Sequence, residues 1–164
     1  MIIRNWTLLL FIISLISISS ALTAEYFFNL QPCELCLKQR HPYYLILVCL
    51  VFIFIIKNLN KVVFYLLIQL GAVYGLFYSI WHVGVENKIL KGPSGCSVML
   101  KNSESASDLK AQILSKQVIS CDEVIWSFFG ISAASINTLV LLVIFILNAI
   151  YLLKNYGTKK EKNV

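Results

Sequence analysis

The sequence predicts an all-α membrane protein, an antiparallel bundle of four transmembrane helices with two outward loops. The 164-residue chain is 59% hydrophobic and only 13% charged, whereas soluble domains carry about 25% charged residues. Its apolar residues form long runs, which is typical of integral membrane proteins. Backbone polar groups in lipid must pair within a helix or a closed barrel. No strand pattern competes in these runs, so we predict helices.

The chain is predicted to be one integral membrane domain over residues 1–164. The predicted transmembrane segments are residues 6–24, 40–56, 62–83 and 128–153. The predicted outward loops are residues 25–39 and 84–127. The first segment ends in a sequence that resembles a signal-peptide cleavage site after Ala24. Its 19 residues exceed the usual hydrophobic region of a signal peptide, about 7–15 residues, so we predict a retained helix.

The second segment predicts where the first polar loop meets the membrane. Its apolar run begins only at Tyr43 and is too short to cross about 30 Å of hydrocarbon. The helix is therefore expected to begin earlier, nearer Leu37, with Lys38 and Arg40 at the interface. The residues just before it would then lie at the membrane surface.

Small, polar and aromatic residues predict how the helices pack. Small residues recur four positions apart, on one helix face, where backbones can approach closely. These pairs are Ser17/Ala21, Ser20/Ala24, Gly71/Gly75 and Gly130/Ala134. Asn137 and Gln69 are expected to hydrogen-bond between helices, and Cys49 to pack as a small apolar residue. The three tryptophans are expected at the interfaces, and the three prolines outside the apolar cores.

Charge distribution predicts the orientation. The side with both termini and the 57–61 turn carries seven Lys/Arg residues and one acidic residue, while the other side carries seven of each. Lys/Arg residues in short loops near segment ends mark the cytoplasmic side, so both termini are predicted to be cytoplasmic. The formal charge of +6 belongs to one membrane face, and no nucleic-acid partner is predicted. The outward loops would face an oxidising compartment.

Cys33 and Cys36 form a Cys-x-x-Cys motif in the first polar stretch. Such a pair exchanges readily between dithiol and disulfide, and nearby cations or a helix N-terminus lower the thiol pKa. Arg40 lies four residues after Cys36, on the same face if this stretch is helical, and Lys38 is close. Glu34, between the cysteines, would oppose thiolate formation. The motif predicts thiol–disulfide exchange at the membrane surface.

A second pair, Cys96 and Cys121, lies in the other long polar stretch, on the same predicted face. Its disulfide has two equally supported interpretations. It is either a staple worth about 3–4 kcal/mol or an exchanging disulfide on a mobile loop, with a short amphipathic helix over 106–116. A zinc site of four cysteines is disfavoured, because 24 residues separate this pair and structural sites use closely spaced ligands. No metal is predicted.

Three groups of residues together resemble the bacterial disulfide bond formation protein B family, over nearly the whole chain. The first group is Cys33-Glu-Leu-Cys36 followed by Arg40 and Pro42. The second is His82-Val-Gly-Val-Glu86 leading to Gly92-Pro93 and Cys96. The third is Ser120-Cys121-Asp122 followed by Trp126, Gly130 and Asn137.

The resemblance implies a protein-disulfide:quinone oxidoreductase of the bacterial inner membrane, with its cysteine loops periplasmic. Cys96–Cys121 would take electrons from a reduced periplasmic thioredoxin-fold thiol oxidase (DsbA-like), through a mixed disulfide at Cys96. The electrons would pass to Cys33–Cys36, and from Cys36 to the membrane quinone pool. All four cysteines are thus predicted to be catalytic.

The resemblance also implies a bound quinone, either ubiquinone or menaquinone. Arg40 would polarise a quinone carbonyl and stabilise the developing anion, as a fixed cation beside a charge-transfer thiolate can. His82 is a second candidate for quinone binding, and its other interpretation is an interfacial histidine with a structural hydrogen bond. Glu86 receives no chemical role.

Two alternatives remain open from the sequence. A vitamin K epoxide reductase-like enzyme would share the chemistry, although its cysteines are placed differently along the helices. A non-catalytic membrane scaffold or transporter subunit would use both disulfides as structural links. Transport is disfavoured, because ion pathways usually contain a charged residue within the apolar cores and none is present in these runs.

Overall fold

A computed structural model describes residues 5–56, 60–93, 121, 124, 126–128 and 130–157. Its helices are α1 (Trp6–Tyr26), α2 (Glu34–Ile55), α3 (Lys61–Glu86) and α4 (Ala133–Leu152). All four are long and apolar enough to cross a membrane, which confirms the predicted fold class. An antiparallel pair of two-residue strands, β1 (Ser127–Phe128) and β2 (Ile131–Ser132), precedes α4, and a π-helical turn, Leu153–Gly157, follows it. The antiparallel order of the helices and their orientation stay predictions.

Helix α3 packs against both α2 and α4, and α1 packs mainly against α2. The side chains between the helices form one apolar core, with Leu10, Ile46, Ile68 and Leu141 fully buried. The outward faces carry exposed leucines and isoleucines on every helix, with exposed valines or phenylalanines on α2, α3 and α4. Exposed apolar faces on all four helices are what a bundle surrounded by hydrocarbon requires.

The closest approach between helices uses a glycine and a proline. Gly75 on α3 is buried, and a Cβ built there would lie 2.5 Å from Pro42 Cγ and 3.0 Å from Leu141 Cδ1. Pro42 lies inside α2 and is fully buried, so the expectation that the prolines lie outside the apolar cores is wrong for this residue. Proline has no N–H to donate along the helix, but its flat ring fits against the bare glycine backbone.

The expectation for the small-residue pair Gly130 and Ala134 is also wrong. Gly130 was predicted to share a helix face with Ala134, but it lies in the turn between β1 and β2 with φ of +79°. This left-handed conformation is one that glycine adopts without steric cost. Helix α4 begins after it, where the Ser132 side chain accepts a hydrogen bond from the Ser135 N–H as an N-cap.

A buried amide network joins α1, α3 and α4 far from the cysteines. Asn148 accepts from Trp6 Nε1 at 3.2 Å and donates to Gln69 Oε1 at 2.8 Å. Gln69 donates in turn to the Phe145 carbonyl, which confirms its predicted interhelical bonding. Trp6 is 1% exposed, so its predicted role as an interfacial anchor is wrong: the indole N–H is satisfied inside the bundle by Asn148.

We expect Gly75→Ala to destabilise the bundle by about 1–3 kcal/mol, because the added methyl group meets a rigid proline ring and Leu141. Gly71→Ala is the matched control, four residues away on the same helix. Its added Cβ would meet only the end of the Leu45 side chain, at 2.8 Å, and that side chain can rotate away. Thermal unfolding of both variants in detergent tests the difference. Equal losses of stability would contradict it.

Candidate active site

Helix α2 begins at the cysteine pair. Cys33 is its N-cap residue, with extended backbone angles of φ −72° and ψ 170°, and its Sγ accepts a hydrogen bond from the Cys36 N–H at 3.3 Å. The start of a helix presents unpaired N–H donors and the positive end of the helix dipole. The helix thus starts at Glu34, earlier than the apolar run indicates, because the Cys33 side chain caps it.

The two sulfur atoms are in contact. Cys33 Sγ and Cys36 Sγ are 3.0 Å apart and both residues are free thiols. Cys33 is only 3% exposed. His82 Nε2, on α3, lies 3.6 Å from Cys33 Sγ. The structure therefore brings together both cysteines of the motif and one of the two residues predicted to bind quinone.

The surroundings of Cys33 favour its thiolate. The hydrogen bond from the Cys36 thiol is the largest influence and lowers the pKa of Cys33 to about 4, and His82 and the Cys36 backbone N–H act in the same direction. Burial opposes them, since it disfavours the charged form. Hydrogen bonds to an anion stabilise it relative to the neutral acid. The lowered pKa favours the thiolate, the form in which a cysteine attacks or leaves a disulfide.

A comparison of Cys36→Ala with Cys36→Ser is expected to separate the effect of this hydrogen bond on Cys33 from the effect of side-chain size. Serine keeps a donor to Cys33 Sγ, whereas alanine removes it, so the pKa of Cys33 rises in the alanine variant. At pH 6 we expect alkylation of Cys33 to be slower in the alanine variant by on the order of tenfold. A background with Cys49, Cys96 and Cys121 replaced by alanine leaves Cys33 as the only thiol. Equal alkylation rates would contradict the assignment.

Arg40 lies one turn after Cys36 on α2, as predicted. Its guanidinium forms an ion pair with the Glu25 carboxylate near the end of α1 and donates to the Ala21 carbonyl at 3.4 Å. Glu25 also lines a cleft of about 290 Å³ together with Tyr26, Asn29, Gln31 and Pro32. The sequence offers no periodic signal for this pairing, which joins two segments across a turn. The predicted cation is therefore fixed by a carboxylate at the rim of a cleft.

The charges beside the cysteines compensate each other. Lys38 forms an ion pair with Glu34 at 2.8 Å, and its ammonium lies 5.2 Å from the centre of the Tyr78 ring. The Glu34 charge, which was expected to oppose thiolate formation, thus has its own cation one turn away. This pair reduces the effect of Glu34 on Cys33.

His82 is more deeply embedded than an interfacial residue, with 4% exposure. Its Nδ1 lies 2.9 Å from Gln39 Nε2, and its Nε2 lies 3.8 Å from Glu86 Oε1. Glu86 Oε2 in turn accepts a hydrogen bond from Ser132 Oγ at 2.5 Å. Gln39 and Glu86 were not predicted as site residues. The sequence signals for Glu86 are its place in the motif that carries the family resemblance and its position four residues after His82, on the same helix face.

Of the second cysteine pair, Cys121 is among the residues that the structure describes. Cys121 is buried and disulfide-bonded, and it packs in the same cluster as Cys33, Leu35 and Val85. Cys96 and the amphipathic helix predicted over 106–116 lie outside the described residues. The structure thus brings a cysteine of the second polar stretch into the cluster that contains Cys33.

The arrangement of the side chains around Cys33 is relevant to the alternative of a zinc site. The ligand atoms of Cys33, Cys36 and His82 lie within 4.8 Å of one another, and no further cysteine, histidine or carboxylate of the described part of the chain joins that group. Structural zinc sites normally have four protein ligands. A dithiol beside an imidazole can carry out thiol–disulfide exchange.

Comparisons with known proteins agree with these features. The family model described as "Disulfide bond formation protein DsbB" matches residues 3–151, which confirms the predicted resemblance. An uncharacterized protein of Rickettsia prowazekii (strain Madrid E) is 32% identical over 135 residues, covering 81% of this chain and 78% of that protein. No solved structure matches the chain.

Proposed function

Since the chain belongs to the disulfide bond formation protein DsbB family, we propose that it is a membrane thiol oxidase. It reoxidises a periplasmic thioredoxin-fold thiol oxidase of the DsbA type and passes the electrons to a membrane quinone. The observation that carries this proposal is the reduced Cys33–Cys36 pair, with its sulfurs 3.0 Å apart at the start of a membrane-spanning helix. A dithiol there lies between the outward face, where the second cysteine pair receives electrons, and the membrane, where a lipid-soluble oxidant is dissolved.

The proposed relay begins at the second cysteine pair. A thiolate of the reduced partner attacks the Cys96–Cys121 disulfide at Cys96, and the second partner thiol resolves the mixed disulfide, so the partner leaves oxidised. The new Cys96 and Cys121 thiols then reduce the Cys33–Cys36 disulfide by the same exchange. Two electrons and two protons move in each exchange. The position of Cys121 in one buried cluster with Cys33 supports direct transfer between the pairs.

The last step returns Cys33 and Cys36 to the disulfide. A bound quinone supplies the two-electron oxidant, and in total the partner dithiol becomes a disulfide while a quinone becomes a quinol. Cys36 is the proposed electron donor. Cys33 closes the disulfide, and its stabilised thiolate favours that attack.

The residues next to the pair suit a quinone headgroup. Arg40 lies one turn from Cys36, and its guanidinium has five N–H donors, so a quinone carbonyl can accept from it beside the Glu25 carboxylate. The cleft of about 290 Å³ lined by Glu25, the ion-pair partner of Arg40, is close to the lower end of small-molecule sites. Arg40 is proposed to polarise that carbonyl, and His82, which contacts Cys33, to support the thiolate on the other side.

The proposal includes a location. Four membrane-spanning helices make the chain a multi-pass membrane protein, and the seven Lys/Arg residues in the short termini and the 57–61 turn support cytoplasmic termini. The cysteine loops would then lie in the periplasm, where thiol oxidation is maintained. The inner bacterial membrane is the compartment that offers both this face and a quinone pool.

The deciding experiment measures quinone reduction by the purified full-length protein in detergent. The substrates are a reduced DsbA-like protein and either a ubiquinone or a menaquinone analogue. We expect one quinol for each partner disulfide formed, and loss of this activity in Cys96→Ala. If no partner and no quinone supports reduction, the proposal fails and the alternative of a scaffold with structural disulfides stands.

A cellular measurement separates the same two interpretations. In bacteria that cannot make quinone, the cysteines of a relay accumulate as thiols, because their electrons have no acceptor. Structural disulfides stay oxidised under those conditions. Trapping the thiols with an alkylating reagent of defined mass reports which of the two occurs.

A further inference from the structure

A chain of buried polar side chains runs from the cysteine pair into the bundle. Tyr43 OH donates to Asn137 Oδ1 at 2.6 Å, and Asn137 Nδ2 donates to Gln39 Oε1 at 3.1 Å. Gln39 Nε2 is 2.9 Å from His82 Nδ1. These residues come from α2, α3 and α4, and Tyr43, Gln39 and His82 are buried. This series of hydrogen-bonded side chains ends at His82, whose Nε2 lies 3.6 Å from Cys33 Sγ.

The donor and the acceptor of each hydrogen bond in this series of side chains follow from the amide groups. The Gln39 oxygen is occupied by the Asn137 amide, so its NH₂ group is the one that faces His82. An amide nitrogen only donates, and His82 Nδ1 must therefore be the unprotonated ring nitrogen. The imidazole proton then lies on Nε2, which faces the Cys33 sulfur and the Glu86 carboxylate.

We infer that Gln39 and Asn137 are positioning residues that hold His82 with its proton on Nε2, facing Cys33. The inference rests on the proposed function, in which Cys33 alternates between a thiolate and a disulfide. An N–H donor aimed at this sulfur stabilises the thiolate each time the disulfide opens. The other tautomer would turn a lone pair toward the anion. The two amides transfer neither electrons nor protons themselves.

Other charged groups around the cysteine pair do not replace this contact. On α2 they are Cys36, the Glu34–Lys38 ion pair, and Arg40, which is paired with Glu25 of α1. On α3 they are His82 and Glu86. Among the described residues of α4, the side chain that contacts this chain of polar groups is the neutral Asn137. His82 is thus the donor from α3 to the Cys33 sulfur, and the amides decide which nitrogen it presents.

The direct test is the tautomer of His82 in the full-length reduced protein, read from the ¹⁵N shifts of labelled histidine in detergent micelles at neutral pH. The chain has two histidines, and His41→Gln identifies the signal of His82. We expect protonated Nε2 and unprotonated Nδ1. Protonation at Nδ1 would overturn the inference. The measurement uses neither quinone nor partner, so its outcome is independent of the proposed function.

A variant series provides the second test. Gln39→Met keeps the length of the side chain and removes both the donor and the acceptor. We expect the pH midpoint of Cys33 alkylation to move upward by about one unit, and Asn137→Leu to cause a smaller shift in the same direction. Gln69→Met is the matched control, because it breaks a buried amide contact with Asn148 and leaves Cys33 unchanged. An unshifted midpoint in Gln39→Met, or an equal shift in Gln69→Met, would overturn the inference.

Discussion

Cys36→Ala is expected to reduce thiol-driven quinone reduction by about 10³-fold or more, to the rate without protein. Two electrons leave a dithiol only if its two sulfurs form a disulfide, and Cys36 Sγ is the sulfur in contact with Cys33. With alanine at this position, Cys33 has no neighbouring thiol within its own motif. The rate is measured with a reduced DsbA-like protein and a quinone analogue.

Cys49→Ala is the matched control for that variant. Cys49 is also a free thiol of α2, but it is buried in the apolar core of the bundle. We expect Cys49→Ala to keep the wild-type rate, since this thiol packs as a small apolar side chain. Comparable rates for Cys36→Ala and Cys49→Ala would show that electrons reach quinone without the Cys33–Cys36 pair. Thermal unfolding of both variants shows whether each is folded.

The number of helices was predictable because a membrane span requires a long apolar run and little else. The start of α2 was predicted nearer Leu37, three residues after its position at Glu34, because the residues before Tyr43 are polar and include a proline. Their polar groups are satisfied by other segments: Gln39 by His82 and Asn137, and Arg40 by Glu25. Helices can begin earlier than hydropathy indicates when tertiary contacts satisfy polar side chains.

The start of α4 shows the opposite error. The apolar run was expected to be helical from residue 128, whereas α4 begins at Ala133. Residues 127–128 and 131–132 form a short strand pair around Gly130, which has positive φ. Hydropathy reports burial in lipid but carries no information on a left-handed turn. The glycine is a local signal of such a turn, and it was assigned to helix packing.

Cys33, Cys36 and Arg40 were identified from a short motif in which each member lies about one helical turn from the next. Their partners were not, because the contacts join distant parts of the chain. Glu25 reaches Arg40 from another helix, and His82 reaches Cys33 across 49 positions. Such pairs have no periodicity, so a single sequence does not indicate them. The resemblance indicated His82 but not the amide that orients it.

Arg40→Met is expected to lower the rate of thiol-driven quinone reduction by about 10²-fold, because it removes the cation proposed to stabilise the quinone carbonyl. The same change leaves the Glu25 carboxylate without its partner. The side chains of Arg40 and Glu25 are 13% and 24% exposed, so we expect a loss of stability of about 1–3 kcal/mol, below the cost of breaking a fully buried pair. The two effects must be separated.

The double variant Arg40→Met/Glu25→Gln separates them. Removing both charges relieves the unpaired carboxylate, so we expect the double variant to recover stability without recovering the rate. Glu25→Gln alone keeps the guanidinium and an acceptor for it, and its rate is expected to stay within a few-fold of wild type. Initial rates over a range of quinone concentrations, together with thermal unfolding, test all three variants. Recovery of the rate in the double variant would mean that Arg40 acts by neutralising Glu25, because no cation would then be needed for quinone reduction.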